Sequence, residues 1–428
     1  MRFERYECYK DSGLEWLGEI PCEWGVKRLK DIFKYFGSGS TPLSTNKQYY
    51  DDGIIPWLNT TDIRNNIVNS TKYKISKLAF SKLNMKIYPK NSLAIGMYGQ
   101  GETRGNVAIL NIEVTTNQNA GIMSKFINSD SKFIFWWFIG RKKHIRQIGN
   151  VATIPNLNKD IIRNLFIALP PLKTQTKITT YLDTKTKKID KEIALLEQKI
   201  EKYRELKQTL INETVLRGLD KNIKFKTKRL KDILYLSTGN SIANKEDYEN
   251  NDIKVYSYIA TKDINVDTNE INYKNGIYIP QNNNTFKILK EETTLLCIEG
   301  GSAGKKIGFT NQKICLVNKL CAFKSKNNSI NDKFIFYNIN SVLFKNQFFA
   351  EMGGVIGGVS IGIIRNFIIH LPPLKEQIQI ANYLDEKTQK IDNITQIISK
   401  KIELLKEFRK TLINDVVTGR VKVDKNEI

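Results

Sequence analysis

The chain has 428 residues, more than one ordinary hydrophobic core accommodates, so two or three domains are expected. Hydrophobic residues make up 41% and aromatics 10%, enough to fill such cores, which excludes a disordered polymer. Lys and Arg number 67 against 44 acidic residues, a formal charge of +23; an anionic polymer would relieve that self-repulsion most simply, although a lysine-rich proteome would leave the same excess.

Residues 1–24 form a charged leader, MRFERYECYKDS at its start, with no apolar stretch that would direct export, so a cytoplasmic protein is expected. Trp16 and Trp24 read as anchors of this leader against the fold rather than as platforms for a base. The longest aromatic run, Phe133 to Ile139, is too short to cross a bilayer, and no membrane partner is expected. Of five cysteines none forms a CxxC pair, and Cys297, Cys315 and Cys321 sit in apolar, strand-like text as reduced core residues. His144 and His370 alone leave little from which to build a His-based metal site or triad.

From residue 25 the chain is written twice. A globular segment (25–168) is followed by a helical one (169–217), then a second globular segment (218–370) and a second helix with its tail (371–428). LPPLKTQTKITTYLDTKTKKID from Leu169 returns as LPPLKEQIQIANYLDEKTQKID from Leu371, and the match runs on without a gap to Val215 and Val417, with roughly half the positions identical. Earlier echoes are weaker: KRLKDI at Lys27 and Lys228, Asp62-Ile63 and Asp263-Ile264, FIFWWF and FIFYNI. Within the globular segments, SLAIGMYG from Ser92 and TTLLCIEGG from Thr293 read as strands running into glycine-rich loops, and KFIFWWFIGRKK and KFIFYNINSVLFK read as helices. The class is α+β.

After each Pro-Pro start a heptad holds. The first copy places Leu182, Ile189, Leu196, Tyr203 and Leu210 at one seam position and Thr186, Ile193 and Ile200 at the other. The second gives Leu384, Ile391, Ile398, Leu405 and Leu412, with Thr388, Thr395 and Ile402. Charged residues between them (Glu197, Glu201, Glu403) belong to a solvated face. A coiled coil between the two copies is expected, against the plainer reading of two amphipathic helices each packed on its own domain. About ten residues, Leu216 to Phe225, join the first helix to the second globular segment, so the helices can pair only antiparallel. Some 40 helical residues would hold the globular segments up to roughly 60 Å apart.

Several loops invite a functional reading, each beside a plain one. GQGETRG at Gly99 lacks the spacing of a dinucleotide fingerprint; it reads as a DNA-facing loop carrying Tyr98, Gln100, Thr103 and Arg104, or as a surface turn. EGGSAGKK at Glu299 lacks the first glycine of a phosphate loop and the hydroxyl residue after its lysine; it reads rather as a DNA-facing loop with Ser302, Lys305 and Lys306, beside the plain reading of a surface turn. TTNQNAG at Thr115 and LVNKLCA at Leu316 occupy equivalent places; Asn117, Gln118 and Asn318 either exchange hydrogen bonds with base edges or satisfy buried backbone at a strand end. Thr153, Asn156 and Ser360 precede the last segment of each globular unit as further candidate contacts. No Asn-Pro-Pro-aromatic motif for adenine methylation, no cofactor loop and no nuclease-like cluster of carboxylates with lysine stands out.

GLEWLGEIPCEWGVKRLKDI at Gly13, the G-S-T-P turn at Gly39, IPWLNTTDI at Ile55 and the two LPPLxxQxxIxxYLDxKTxKID blocks together resemble the specificity subunits of type I restriction–modification enzymes, over nearly the whole chain. The resemblance implies two target-recognition domains of mixed α/β structure, joined by two long antiparallel helices in a coiled coil with internal pseudo-twofold symmetry. Each domain would read one half of a bipartite, non-palindromic site on double-stranded DNA, the coil setting the gap. It implies no catalysis and no metal in this chain. S-adenosylmethionine, ATP and Mg would belong to two methyltransferase subunits, docked on the coil and readers, and two translocating restriction subunits. Ser40, Thr41, Asn59 and Thr60, with Asn240, Ser241, Thr261 and Lys262 in the second half, are then expected to face DNA. The second half lacks the Trp-rich leader and the Ser-Thr-Pro turn, having Gly239-Asn240-Ser241 instead. A duplicated coiled-coil scaffold binding RNA or proteins is the alternative; it explains the helices but not two basic readers. A stand-alone nuclease or methylase lacks its motifs.

Overall fold

In the computed structural model, residues 4–98, 103–148, 156–244, 246–249, 255–353 and 357–423 are described. Two units divide the chain: residues 1–195 with 401–428, and residues 196–400.

In the first unit, β-branched and aromatic runs pair into a sheet of five strands, in the order Phe33–Gly37, Ala120–Phe126, Leu93–Gly96, Val107–Leu110, Asn66–Val68. Only the last pair is parallel. A three-stranded sheet sets Ile55–Leu58 between Thr115–Thr116, parallel to it, and Tyr73–Ile75, antiparallel. Phe166–Leu169 pairs with Gly25–Arg28 and brings the chain back beside its start. The helix Ser131–Ile148 buries Phe133, Ile134, Phe135, Trp136, Trp137 and Phe138.

The second unit repeats this plan with one strand fewer. Its larger sheet runs Leu234–Thr238, Leu320–Ser325, Thr294–Cys297, Ile307–Phe309; its three-stranded sheet sets Val255–Ile259 between Ile314–Leu316, parallel, and Tyr278–Pro280. Lys226–Arg229 pairs with Ile368–Leu371. The aromatic helix is interrupted: Asp332–Asn340 ends at Ser341, which adopts an extended conformation and accepts from Phe344 N to start Val342–Ala350. Asn338 and Asn340 turn their amides back onto carbonyls four residues earlier, a competition that weakens a helix interior. Cys297, Cys315 and Cys321 are buried free thiols, and burial pushes Cys315 up to about 11.

Leu172–Arg217 and Leu374–Val417 are the two long helices. Of the expected seam, Leu182, Ile189, Ile193, Leu384, Ile391, Ile398, Ile402 and Leu412 are buried, whereas Leu196, Ile200, Tyr203, Leu210 and Leu405 are half-buried. A fully buried Leu or Ile contributes about 1.5–3 kcal/mol. Each unit shows the pairing to be antiparallel. In the first, Asp190 meets Arg409 at 2.8 Å while Glu192 meets Lys401 at 2.7 Å. In the second, Lys207 meets Asp392 at 2.7 Å, and Glu376, earlier on its helix, accepts from Leu219 N just past the end of the other.

The repeated block also latches each globular segment to its own helix. Gln175, fully buried, accepts from Asp130 N at 2.8 Å and donates to Pro170 O at 2.8 Å; Gln377 does the same with Asn331 N and Pro372 O, both at 2.9 Å. Trp136 donates its indole N–H to Asp183 at 2.9 Å, and Tyr337 its hydroxyl to Asp385 at 2.6 Å. Burial and that carboxylate push the Tyr337 hydroxyl well above its ordinary range.

The leader closes the base of the first unit. Tyr9–Asp11 and Glu19–Pro21 form a hairpin spanned by a Cys8–Cys22 disulfide, a pairing not expected from five cysteines without a motif. Tyr9 donates its hydroxyl to Gly419 O at 3.1 Å. Trp24 is buried against Phe133, and Trp16 lies under Arg141 at 4.2 Å, so both tryptophans serve as anchors. Among the described residues no helix is long and apolar enough to cross a membrane.

Candidate nucleic-acid interface

In each unit the two parallel strands of the small sheet end side by side, and a glycine turn is laid across their ends. Gly39 is required by contact: a Cβ there would lie 1.6 Å from Thr116 O, and one at Gly239 would lie 1.6 Å from Leu316 O. Gly39 N donates to Asn117 O at 3.1 Å, and Asn240 N to Leu316 O at 3.0 Å. An aromatic residue in the middle strand holds the turn from beneath. Trp57 donates its indole N–H to Ser40 O at 3.2 Å, and Tyr258 its hydroxyl to Asn240 O at 2.7 Å. Past the strand end Asp62 accepts from Asn59 N at 3.0 Å, and Asp263 from Ala260 N at 2.8 Å, which explains the repeated Asp-Ile pair.

The larger sheet feeds the same edge. Met97 N donates to Asn119 O and Leu157 N to Met97 O, both at 2.9 Å; Ile298 N donates to Lys319 O and Val359 N to Ile298 O, both at 3.0 Å. Five loops thus meet on each platform, and the missing Ser-Thr-Pro turn changes its side chains while the glycine contact and the aromatic prop beneath it are kept.

The side chains sort into three groups. Thr41, Tyr98, Asn240, Ser241, Lys262, Lys305, Asn318 and Ser360 are exposed, as are Gln118 and Lys319. Ser40, Asn59, Thr60, Thr103, Asn156, Thr261, Ser302 and Lys306 are half-buried, and Lys306 is engaged within the fold, donating to Thr261 O at 2.7 Å. Arg104 and Asn117 are buried, at 5% and 6% exposure. Gln100 and Thr153 lie outside the described residues. Among the described residues no three His, Cys, Asp or Glu side chains are grouped to hold a metal.

The family described as "Type I restriction modification DNA specificity domain" matches residues 21–202 and again 222–404. The chain belongs to that family. The type I restriction enzyme MjaVIII specificity subunit of Methanocaldococcus jannaschii is 23% identical over 99% of this chain and 98% of its own. The EcoR124I/EcoR124II specificity subunit of Escherichia coli is 28% identical, over 48% of this chain and 52% of its own. Two solved structures, each 14% identical, share the fold. One, described as "Structural basis underlying complex assembly and conformational transition of the type I R-M system", matches with TM-score 0.74 over 93% of this chain and 98% of that chain. The HsdS subunit from Thermoanaerobacter tengcongensis matches with TM-score 0.58 over 94% and 98%.

Two expectations for this specificity subunit need correction. Arg104 does not face solvent: the next residue, Gly105, donates its N–H to Gly96 O and turns the chain under the sheet edge, beside the helix residues Lys142 and Arg146. Burial and the neighbouring Arg146 guanidinium lower its pKa. Asn117 belongs to the plainer of its two readings, for its amide donates to Asn59 Oδ1 at 3.0 Å and accepts from Asn119 N at 3.0 Å. Sequence reasoning passed over Lys319, which pairs with Glu299 at 3.7 Å beside Asn318; its position one residue after an equivalent of Gln118 was the available signal.

Proposed function

We propose that this specificity subunit reads a two-part, non-palindromic site on duplex DNA, one part with each unit, while the paired helices set the gap. The observation that carries the reading is the platform itself: one backbone frame built twice, each time presenting different exposed polar side chains. Shared frames with divergent surfaces suit two different half-sites better than one partner bound twice. The net charge of +23 supplies phosphate contacts that bind without choosing sequence, leaving choice to the platforms.

In this reading the chain is not an enzyme. Methylation of adenine from S-adenosylmethionine belongs to two docked methyltransferase subunits, and ATP- and Mg-dependent translocation and cleavage to two restriction subunits. Exposed apolar residues on the long helices offer the methyltransferase a surface: Leu195 and Leu404 in the first unit, 55% and 59% exposed, and Leu206 and Ile397 in the second, 52% and 70% exposed. Selection from a random duplex library, with the methyltransferase co-expressed, is expected to recover a single gapped motif. Preference for RNA, or no selection, would contradict the reading.

A further inference from the structure

Several polar side chains on the two platforms are already engaged. Asn59 and Asn117 bond each other, the Asn240 amide donates to Thr285 O at 3.0 Å, and Lys306 holds Thr261 O. One exposed carboxamide stands at the same point of each frame. In the first unit it is Gln118, directly after buried Asn117 at the end of the parallel strand pair. In the second it is Asn318, directly after Val317, whose N–H donates to Ile259 O at 3.0 Å. Thr41, on the glycine turn, donates its hydroxyl to Gln118 Oε1 at 2.5 Å.

From this we infer that Gln118 and Asn318 are the base-reading residues of their units, each pairing its amide with the major-groove edge of an adenine; the inference rests on the DNA reading proposed above. A carboxamide carries an acceptor and a donor side by side, and adenine presents the complementary N6 donor and N7 acceptor. The Thr41 bond leaves Gln118 Oε1 one lone pair for the N6 amino group and fixes the amide so that Nε2 donates toward N7. Thr41 is therefore a positioning residue. The rigidity comes from beneath, because the turn carrying Thr41 is pinned by Trp57 and by Asn117 O. Asn318 is one methylene shorter, so the second unit must bring its platform closer to the base.

The test is selection from a random duplex library by the whole chain in complex with its methyltransferase, for wild type, Gln118→Ala, Asn318→Ala, Gln118→Glu and Thr41→Val. Gln118→Ala is expected to lose about 5- to 150-fold of discrimination at one position in one half of the motif, with the other half and the melting temperature unchanged. Asn318→Ala is expected to do the same in the other half. Gln118→Glu, an acceptor only, is expected to shift that position toward cytosine, whose N4 group donates. Thr41→Val is expected to weaken the same single position while affinity for non-cognate duplex holds, which a merely structural loss would not do. Unchanged motifs from both alanine variants would overturn the inference while leaving DNA reading intact, and so would a uniform loss of binding across all sequences. If wild type selected no motif, the DNA reading would fail and this inference with it.

Discussion

The two units share a frame and differ in what hangs beside it. After the Asp62-Ile63 turn, the β-branched run in Asn66–Val68 joins the larger sheet as a fifth strand, parallel to Val107–Leu110. After Asp263-Ile264 the text is acidic and polar, and the chain closes on itself instead: Asn265 N donates to Glu270 O at 2.9 Å and Asp267 N to Asn265 Oδ1 at 2.9 Å. That sheet stops at four strands, and the loop is tied to the first long helix by Arg204–Asp267 at 3.2 Å. What is duplicated is the backbone frame of the platform; what has diverged is the element flanking it and the exposed side chains it carries. A buried N–H or C=O left without a partner costs about 1–3 kcal/mol wherever it occurs, whereas an exposed side chain costs little to change.

The two frames are most vulnerable at the glycine turn. Gly39→Ala and Gly239→Ala each force a methyl group onto a carbonyl oxygen and are expected to destabilise by about 3 kcal/mol, each erasing one half of the recognised motif. Denaturant midpoints and library selection check this, and unequal losses would show that the frames are not equivalent. Next come the buried glutamines. Gln175→Ala and Gln377→Ala leave backbone groups unpartnered, so each is expected to cost about 2 kcal/mol in chemical unfolding, with similar values in the two units. The smallest effect belongs to the feature that is not shared. Arg204→Ala removes a half-exposed ion pair and is expected to cost less than about 0.5 kcal/mol, a loss that should vanish at high salt.

Much of this was legible in the sequence because it is local. The Pro-Pro starts, the heptads and the repeat locate both long helices, and only their covalent link was needed to fix direction. The platform was half legible. Its loops were found as glycine-rich or polar segments, but which residue of a loop faces outward depends on a parallel pairing between strands far apart in the chain. A shift of one position separates buried Asn117 from exposed Gln118, and a tight turn hides Arg104, whose charge suggested the opposite. The break at Ser341 was missed because the aromatic text continues through it. The Cys8–Cys22 bond was missed because two cysteines 14 residues apart carry no signature.

Shortening the long helices separates spacing from sequence reading. Seven residues removed from each would shorten the pair by about 10 Å, close to three base pairs of duplex. Library selection by that variant is expected to recover both half-motifs unaltered, separated by a gap about three base pairs shorter. Altered half-motifs with the original gap would contradict the division of labour between platform and helix.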